Sequence, residues 1–313
     1  MSIRKNRTTS PTQSHAQPRG KKRTPVRLAL GTVAAGLALA LSACGGAARV
    51  NDDSRVVIGT DSGTEEYFQL LKSKLKDEGI DLEVKNFTDG VQINNATQNG
   101  DVDINLFQHI AFLSQFNVKN GGDLVPVGAT AVYPLPLYSK KYSSLDQLPK
   151  DATIALPSNP TNQARALLNL QAAGLLKLKG GGNSLSTPAQ IESSSLKIKP
   201  VDTNQTVNAL AGGADAAVVN NTQAQKGGLT SDQIIYQEDL GSHVGDAYIN
   251  AFVVKAENKD DERWKKITDA YHSPEIEESV RKLNGGALEF KADWTPEKLQ
   301  KLLDHEEEVA KQG

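Results

Sequence analysis

The stretch Ile154-Ala155-Leu156-Pro157-Ser158-Asn159-Pro160-Thr161-Asn162-Gln163-Ala164-Arg165 has the residue types needed to grip a small anion. A short apolar run ends in a polar, proline-bounded turn, and a helical pattern (Ala166, Leu167, Leu168, Leu170) begins at once. Ser158 or Asn159 can cap that helix, and Pro160 suits its first turn, where a missing N–H costs nothing. Free backbone N–H groups and the positive end of the helix dipole favour negative charge there. Arg165, about one and a half turns further on, offers a planar fork that matches a carboxylate. An ordinary capped helix with a surface arginine has the same pattern, so the surrounding elements must decide between them.

Those elements alternate. Arg55–Thr60 reads as a strand, and Tyr67, Leu70, Leu71 and Leu75 fall at helical spacing up to Gly79. Leu82–Phe87 and Ile104–Phe107 are strands around a helix at Val91–Gln98, and a helix follows from Ile110 to Val118. After Leu124–Gly128 and Thr130–Tyr133 the grammar restarts with strand Thr153–Leu156 and a helix over Thr161–Leu176. Lys177–Ser195 reads as a peripheral Gly/Lys/Ser-rich loop. Strands follow at Leu196–Val201, Ala216–Val219, Ile234–Tyr236 and Tyr248–Val254, and the chain finishes in amphipathic helices. The alternation predicts an α/β fold with parallel-dominated sheets flanked by helices. Asn94–Gly100-Asp101-Val102-Asp103 leading to Gln108-His109 echoes Asn208–Gly212-Gly213-Ala214-Asp215 leading to Asn220-Asn221. Two similar halves would place both polar pairs beyond strand ends, where open α/β sheets bind ligands.

Charge and targeting narrow the function. The 313-residue chain has a formal charge of −2, with 38% hydrophobic and 23% charged residues, as in ordinary globular proteins. Eight of its 35 basic residues and no acidic one lie in the first 44, which leaves 27 basic against 37 acidic residues for the rest. So acidic a body argues against nucleic acid. The apolar run Leu28–Leu41 is short for a membrane span and fits a signal-peptide core. It ends in Leu41-Ser42-Ala43-Cys44-Gly45-Gly46, which resembles a bacterial lipobox, and Cys44 is the sole cysteine. The expected organisation is a signal peptide over 1–43, lipidated Cys44 with a flexible tether over 44–54, and a folded body without disulfides.

Catalytic signatures are absent. There is no Gly-x-Ser-x-Gly elbow, phosphate loop or dinucleotide fingerprint. His109, His243, His272 and His305 stand apart without metal-ligand spacing, so no metal or cofactor is expected. An exported, acidic, two-lobed α/β protein on a lipid tether reads as a receptor and not an enzyme. Adhesion and enzymatic roles on the same fold remain the alternatives.

From about Val56 to Ala287 the chain resembles the NlpA family of lipoproteins, the methionine-binding receptors of ABC importers. The resemblance rests on Asn105-Leu106-Phe107-Gln108-His109, Val132-Tyr133-Pro134, Tyr138–Lys141 with Ser144–Leu148, Pro157–Asn162, Ala217–Asn220, Tyr248-Ile249-Asn250 and Asn284–Ala287. It implies a two-lobed periplasmic-binding-protein fold (type II-like), with lobe 1 over 55–133 plus 251–313 and lobe 2 over 134–250. It also implies that Arg165 pairs with the ligand carboxylate and that Asn162, Asn220 and Asn250 bind the carboxylate or ammonium. Phe107, His109 and Tyr133 would then wall the side-chain pocket. The implied ligand is methionine or a close analogue, with another amino acid or a small methionine-containing peptide as the alternative. The implied partners are an ABC permease with its ATPase, and the implied location is the extracytoplasmic face of the cell membrane. Thr60-Asp61-Ser62, Ser158-Asn159, Asp239–His243 and the tail beyond Ala287 depart from the family pattern.

Overall fold

The computed structural model describes residues 54–240 and 243–312; the leader, Cys44 and part of the Asp239–His243 departure lie outside them. The chain begins with β1 (Arg55–Thr60), α1 (Glu66–Asp77), β2 (Asp81–Asn86), α2 (Gly90–Gln98), β3 (Ile104–His109), α3 (Ile110–Asn120), β4 (Leu124–Ala129) and a two-residue β5 (Ala131–Val132). It then crosses to a second sheet with β6 (Leu137–Tyr138), β7 (Thr153–Pro157), α4 (Pro160–Ala172), β8 (Leu176–Leu178), β9 (Ile191–Ser194), β10 (Lys197–Val201), α5 (Thr206–Ala211), β11 (Ala216–Val218), α6 (Asn221–Lys226) and β12 (Ile234–Tyr236). It returns through β13 (Asn250–Lys255), α7 (Arg263–Tyr271), α8 (Pro274–Leu283), β14 (Glu289–Phe290) and α9 (Pro296–Ala310).

Two five-stranded sheets result, ordered β2-β1-β3-β13-β4 and β10-β7-β11-β6-β12. Each is parallel over three strands and antiparallel over the rest, so the expected parallel dominance holds for only half of each ladder. In the first sheet the returning strand β13 inserts between β3 and β4 and runs against both. Each sheet has its own apolar core. Ile58, Phe68, Leu71 and Phe252 are fully buried in one, and Ile154, Leu156, Leu167 and Ala216 in the other.

One device is used twice. Asp103 Oδ2 accepts the Val57 N–H at 2.7 Å, and Asp215 Oδ2 accepts the Thr153 N–H at 2.8 Å. In each case a carboxylate leading into one strand holds the first parallel strand of its own sheet, as the sequence echo implied. The helix expected over Thr161–Leu176 ends earlier, at Ala172, because Gly174 takes a left-handed φ of 74°. Leu176 and Leu178 are therefore free to form β8, which pairs with β9 and buries both leucines. The expected Lys177–Ser195 loop is thus an anchored antiparallel ribbon, because its alternate leucines have a core to enter.

Gly128 marks the closest approach of a helix to the first sheet. A Cβ there would stand 2.0 Å from Thr268 Oγ1 on α7 and 2.9 Å from Thr268 Cβ. Gly128→Ala is expected to cost about 1–3 kcal/mol by overpacking. Adding Thr268→Ala should restore only part of the loss, since the Cβ remains. Urea denaturation midpoints check both, and an unchanged midpoint in the single variant would contradict the tight packing.

Candidate functional site

Both sheets point the carboxyl ends of parallel strands at one cleft. β3 ends in His109, whose Nδ1 caps α3 by accepting the Phe112 N–H at 3.1 Å. With Nδ1 an acceptor, the ring proton sits on Nε2 and is donated to Asn162 Oδ1 at 3.1 Å. Burial, aided by the Arg165 charge, pushes the His109 pKa down to about 3, so the ring is neutral. Across the cleft, Asn159 caps α4 by accepting the Asn162 N–H at 2.9 Å, with Pro160 opening the helix. Asn220 Oδ1 accepts the Gln223 N–H at 2.9 Å and starts α6, so His109 and Asn220 are capping residues of equivalent helices.

A cavity of about 400 Å³ lies between these elements, walled by Phe107, His109, Phe112, Asn159, Asn162, Asn220 and Asp61, among others. Phe107 meets Phe112 edge to face at 5.8 Å between ring centres. A Cβ on Gly90 would stand 2.6 Å from the Phe107 ring, so glycine at that position allows the ring its place. Gln108 also lines this cavity, and its amide joins a buried network. Its Nε2 donates to Asn94 Oδ1 at 2.6 Å and to Asn105 Oδ1 at 3.0 Å, and Asn94 Nδ2 returns a bond at 2.8 Å. A second, smaller cavity of about 50 Å³ is lined by Tyr133 and Asn250 and shares Asp61 and Phe107 with the first. The Tyr133 and Tyr271 hydroxyls lie 3.2 Å apart, and Asn250 pairs with His109 across the β13–β3 ladder.

Arg165 is buried, at 4% exposure, but borders neither cavity. It forms a close ion pair with Glu238, donates through Nη2 to the Tyr133 carbonyl at 2.8 Å, and lies 4.3 Å above the Tyr248 ring. The same ring meets His109 at 5.1 Å between centres, edge to face. No acceptor among the described residues takes the Arg165 Nη1 donors. Phe107, His109, Asn162 and Asn220 therefore converge on one cavity and Tyr133 and Asn250 on its neighbour, while Arg165 reaches them through Tyr133 and Tyr248. Sequence reasoning gave no role to Glu238 or Tyr248; Tyr248 opens the expected strand Tyr248–Val254 beside Asn250, but only the fold brings its ring to Arg165.

The described residues hold no cluster of His, Cys, Asp and Glu placed to bind a metal ion. The lobes meet through further side chains besides His109 and Asn162. Asn221 Nδ2 donates to Asn284 Oδ1 at 3.0 Å, and Lys226 Nζ donates to the Asp61 carbonyl at 2.7 Å.

Two outcomes follow. Glu238→Ala leaves the buried Arg165 without its counter-charge and is expected to cost about 3–5 kcal/mol of folding stability, measured by chemical denaturation. An unchanged stability would show that the pair is dispensable. For His109 the folded pKa lies below the unfolded value of 6.5, so between about 3 and 6.5 the unfolded chain binds the extra proton. Stability should fall by up to about 1.4 kcal/mol per pH unit on acidification through that window. His109→Asn keeps a capping group and removes the titration, so its stability-versus-pH curve should be flatter by that amount. Parallel curves would disprove the assignment.

Comparison with known proteins agrees with this geometry. The family model described as NlpA lipoprotein matches residues 56–290. The D-methionine-binding lipoprotein MetQ of Escherichia coli (strain K12) is 39% identical over 257 residues, covering 80% of this chain and 93% of that protein. Protein PG110 from Staphylococcus aureus superposes with a TM-score of 0.76 at 32% identity, over 80% of this chain and 99% of that one. A nutrient binding protein from Burkholderia cenocepacia bound to methionine superposes at 0.70 with 34% identity, over 75% and 99%. The mixed α/β architecture with a cleft between two sheets is that of these substrate-binding proteins, and the chain belongs to the NlpA lipoprotein family.

Proposed function

We propose that this protein is a lipid-anchored, extracytoplasmic receptor that captures methionine or a close analogue and hands it to an ABC permease and its ATPase. The observation that carries this reading is the cavity of about 400 Å³ spanned by the His109–Asn162 hydrogen bond between the lobes. Its size suits one small solute. Lobe 1 comprises 55–133 plus 251–313 and lobe 2 comprises 134–250. Hinge motion about the two crossings would admit the ligand, and contacts made only on closure would hold it.

In this reading Asn162, Asn220 and Asn250 offer donors and acceptors to the polar end of the amino acid. Phe107, His109 and Tyr133 wall its side chain. Aromatic faces suit a thioether, each contact contributing about 0.3–1.5 kcal/mol. Arg165 borders neither cavity in this conformation, so its Nη1 donors would reach the carboxylate only on closure, while Glu238 holds the rest of the fork. The neutral His109 can face an apolar side chain without burying a charge. Binding leaves every covalent bond of the solute intact. Cys44, lipidated and made the mature N-terminus, ties the receptor to the membrane.

A thermal-shift panel of amino acids on the full chain tests the ligand. At 100 times its dissociation constant methionine should stabilise the fold by about 2.7 kcal/mol. A shift with another amino acid and none with methionine would overturn the ligand assignment. Arg165→Lys keeps a charge opposite Glu238 but removes the fork, and should weaken methionine about tenfold or more by calorimetry. Unchanged affinity would remove Arg165 from the site. Cys44→Ala should move the protein from the membrane fraction to the soluble one, and continued sedimentation with membranes would refute the anchor.

A further inference from the structure

The turn after β1 places a carboxylate in the cleft that the reading above does not use. Asp61 follows the carboxyl end of β1 and, with Phe107, is common to the walls of both cleft cavities. Its turn is pinned on both sides. The Ser62 N–H donates to Thr60 Oγ1 at 3.2 Å and the Gly63 N–H donates to Asn86 Oδ1 at 2.9 Å. A Cβ on Gly63 would stand 2.7 Å from Val84 Cγ1, so the turn sits hard against β2.

Among the described residues, no other side chain donates a hydrogen bond to the Asp61 carboxylate. Lys226, from the opposite lobe, donates to the Asp61 main-chain carbonyl and lines neither cavity. Burial pushes the Asp61 pKa up, the Lys226 charge opposes that shift, and Glu65 adds to it. Asp89 and Asp202 also line the larger cavity, but Asp89 is committed to capping α2 through the Gln92 N–H at 3.0 Å. Asp202 is exposed at the rim, where it accepts from Ser158 Oγ at 3.5 Å, and Glu65 joins Asp61 in the smaller cavity. Among the described residues neither cavity is lined by a lysine or arginine, and His109 is neutral. The cleft thus holds a partly desolvated negative charge with no cation on its walls, a situation that favours a cationic group on the ligand.

We propose that Asp61 is the counter-charge for the ligand's ammonium group, and that it sets a preference for α-amino acids over carboxylates that lack the amine. This rests on the reading of the cleft as an amino-acid site. It assigns the ammonium to an ionic partner, with the amides of Asn162, Asn220 and Asn250 left to complete its hydrogen bonding.

Calorimetry on the full chain with L-methionine and with 4-(methylthio)butanoate, the same molecule without its amine, tests the assignment. The native protein should prefer methionine. Asp61→Asn should weaken methionine by about 30-fold or more while 4-(methylthio)butanoate changes by no more than about threefold. Binding of the second ligand also shows that the variant is folded. Equal losses for both ligands would mark Asp61 as a structural residue and overturn the proposal, as would unchanged methionine affinity. A native protein that binds neither ligand would instead bring down the amino-acid reading, and this proposal with it.

Discussion

A buried guanidinium is tolerable only if its charge and its donors are answered, and in this fold that need ties the two lobes together. Arg165 lies on α4 of the second lobe, yet its partners belong to both crossings between the sheets. The Tyr133 carbonyl stands at the outward crossing, and Glu238 and the Tyr248 ring stand at the return. Glu238 also accepts the Leu135 N–H at 2.8 Å, so one carboxylate holds the start of one crossing and the cation beneath the other. Breaking such a pair leaves a charge stranded in a low-dielectric setting, which is far costlier than losing a surface bridge.

The site is built outward from that hub. Tyr248 meets both the Arg165 guanidinium and the His109 ring, so the histidine in the cleft is backed by an aromatic ring with a positive charge close by. Burial, aided by that charge, keeps it neutral. Its ring orientation follows from capping α3, and the capping side chains of α4 and α6 bring Asn159 with Asn162, and Asn220, to the same opening. Three helix starts, each requiring a polar side chain for its own backbone, thus leave their remaining polar atoms around one cavity. The groups that begin the helices are also those that line the cavity.

Much of this could be read from residue order. Strand and helix alternation, the Asn159-Pro160 cap and the paired Asp103 and Asp215 all follow from local chemistry that needs few partners. Glu238 could not be read this way. Its role depends on Arg165, 73 positions earlier, and a lone glutamate near an acidic neighbour looks like any solvated carboxylate. The length of the α4 helix was misread because leucine spacing continues past Gly174, and only the left-handed turn there redirects Leu176 and Leu178 into a strand. Helix position and the family resemblance mark Arg165 as the partner of a ligand carboxylate. Its engagement by Glu238 is a tertiary fact with no trace in the spacing.

The placement of β13 between β3 and β4 also constrains the order in which the chain can become a protein. Strands β1 to β4 leave the ribosome first, but the strand that joins β3 to β4 arrives only after the whole second lobe, and Leu299 and Leu303 of α9 join that core later still. The second lobe, continuous in the chain, has no such wait. Sheet pairing across so long a stretch is slow, since the loop must close before its contacts can stabilise it. The first lobe therefore cannot complete its sheet until β13 has been made, nor its core until α9 has.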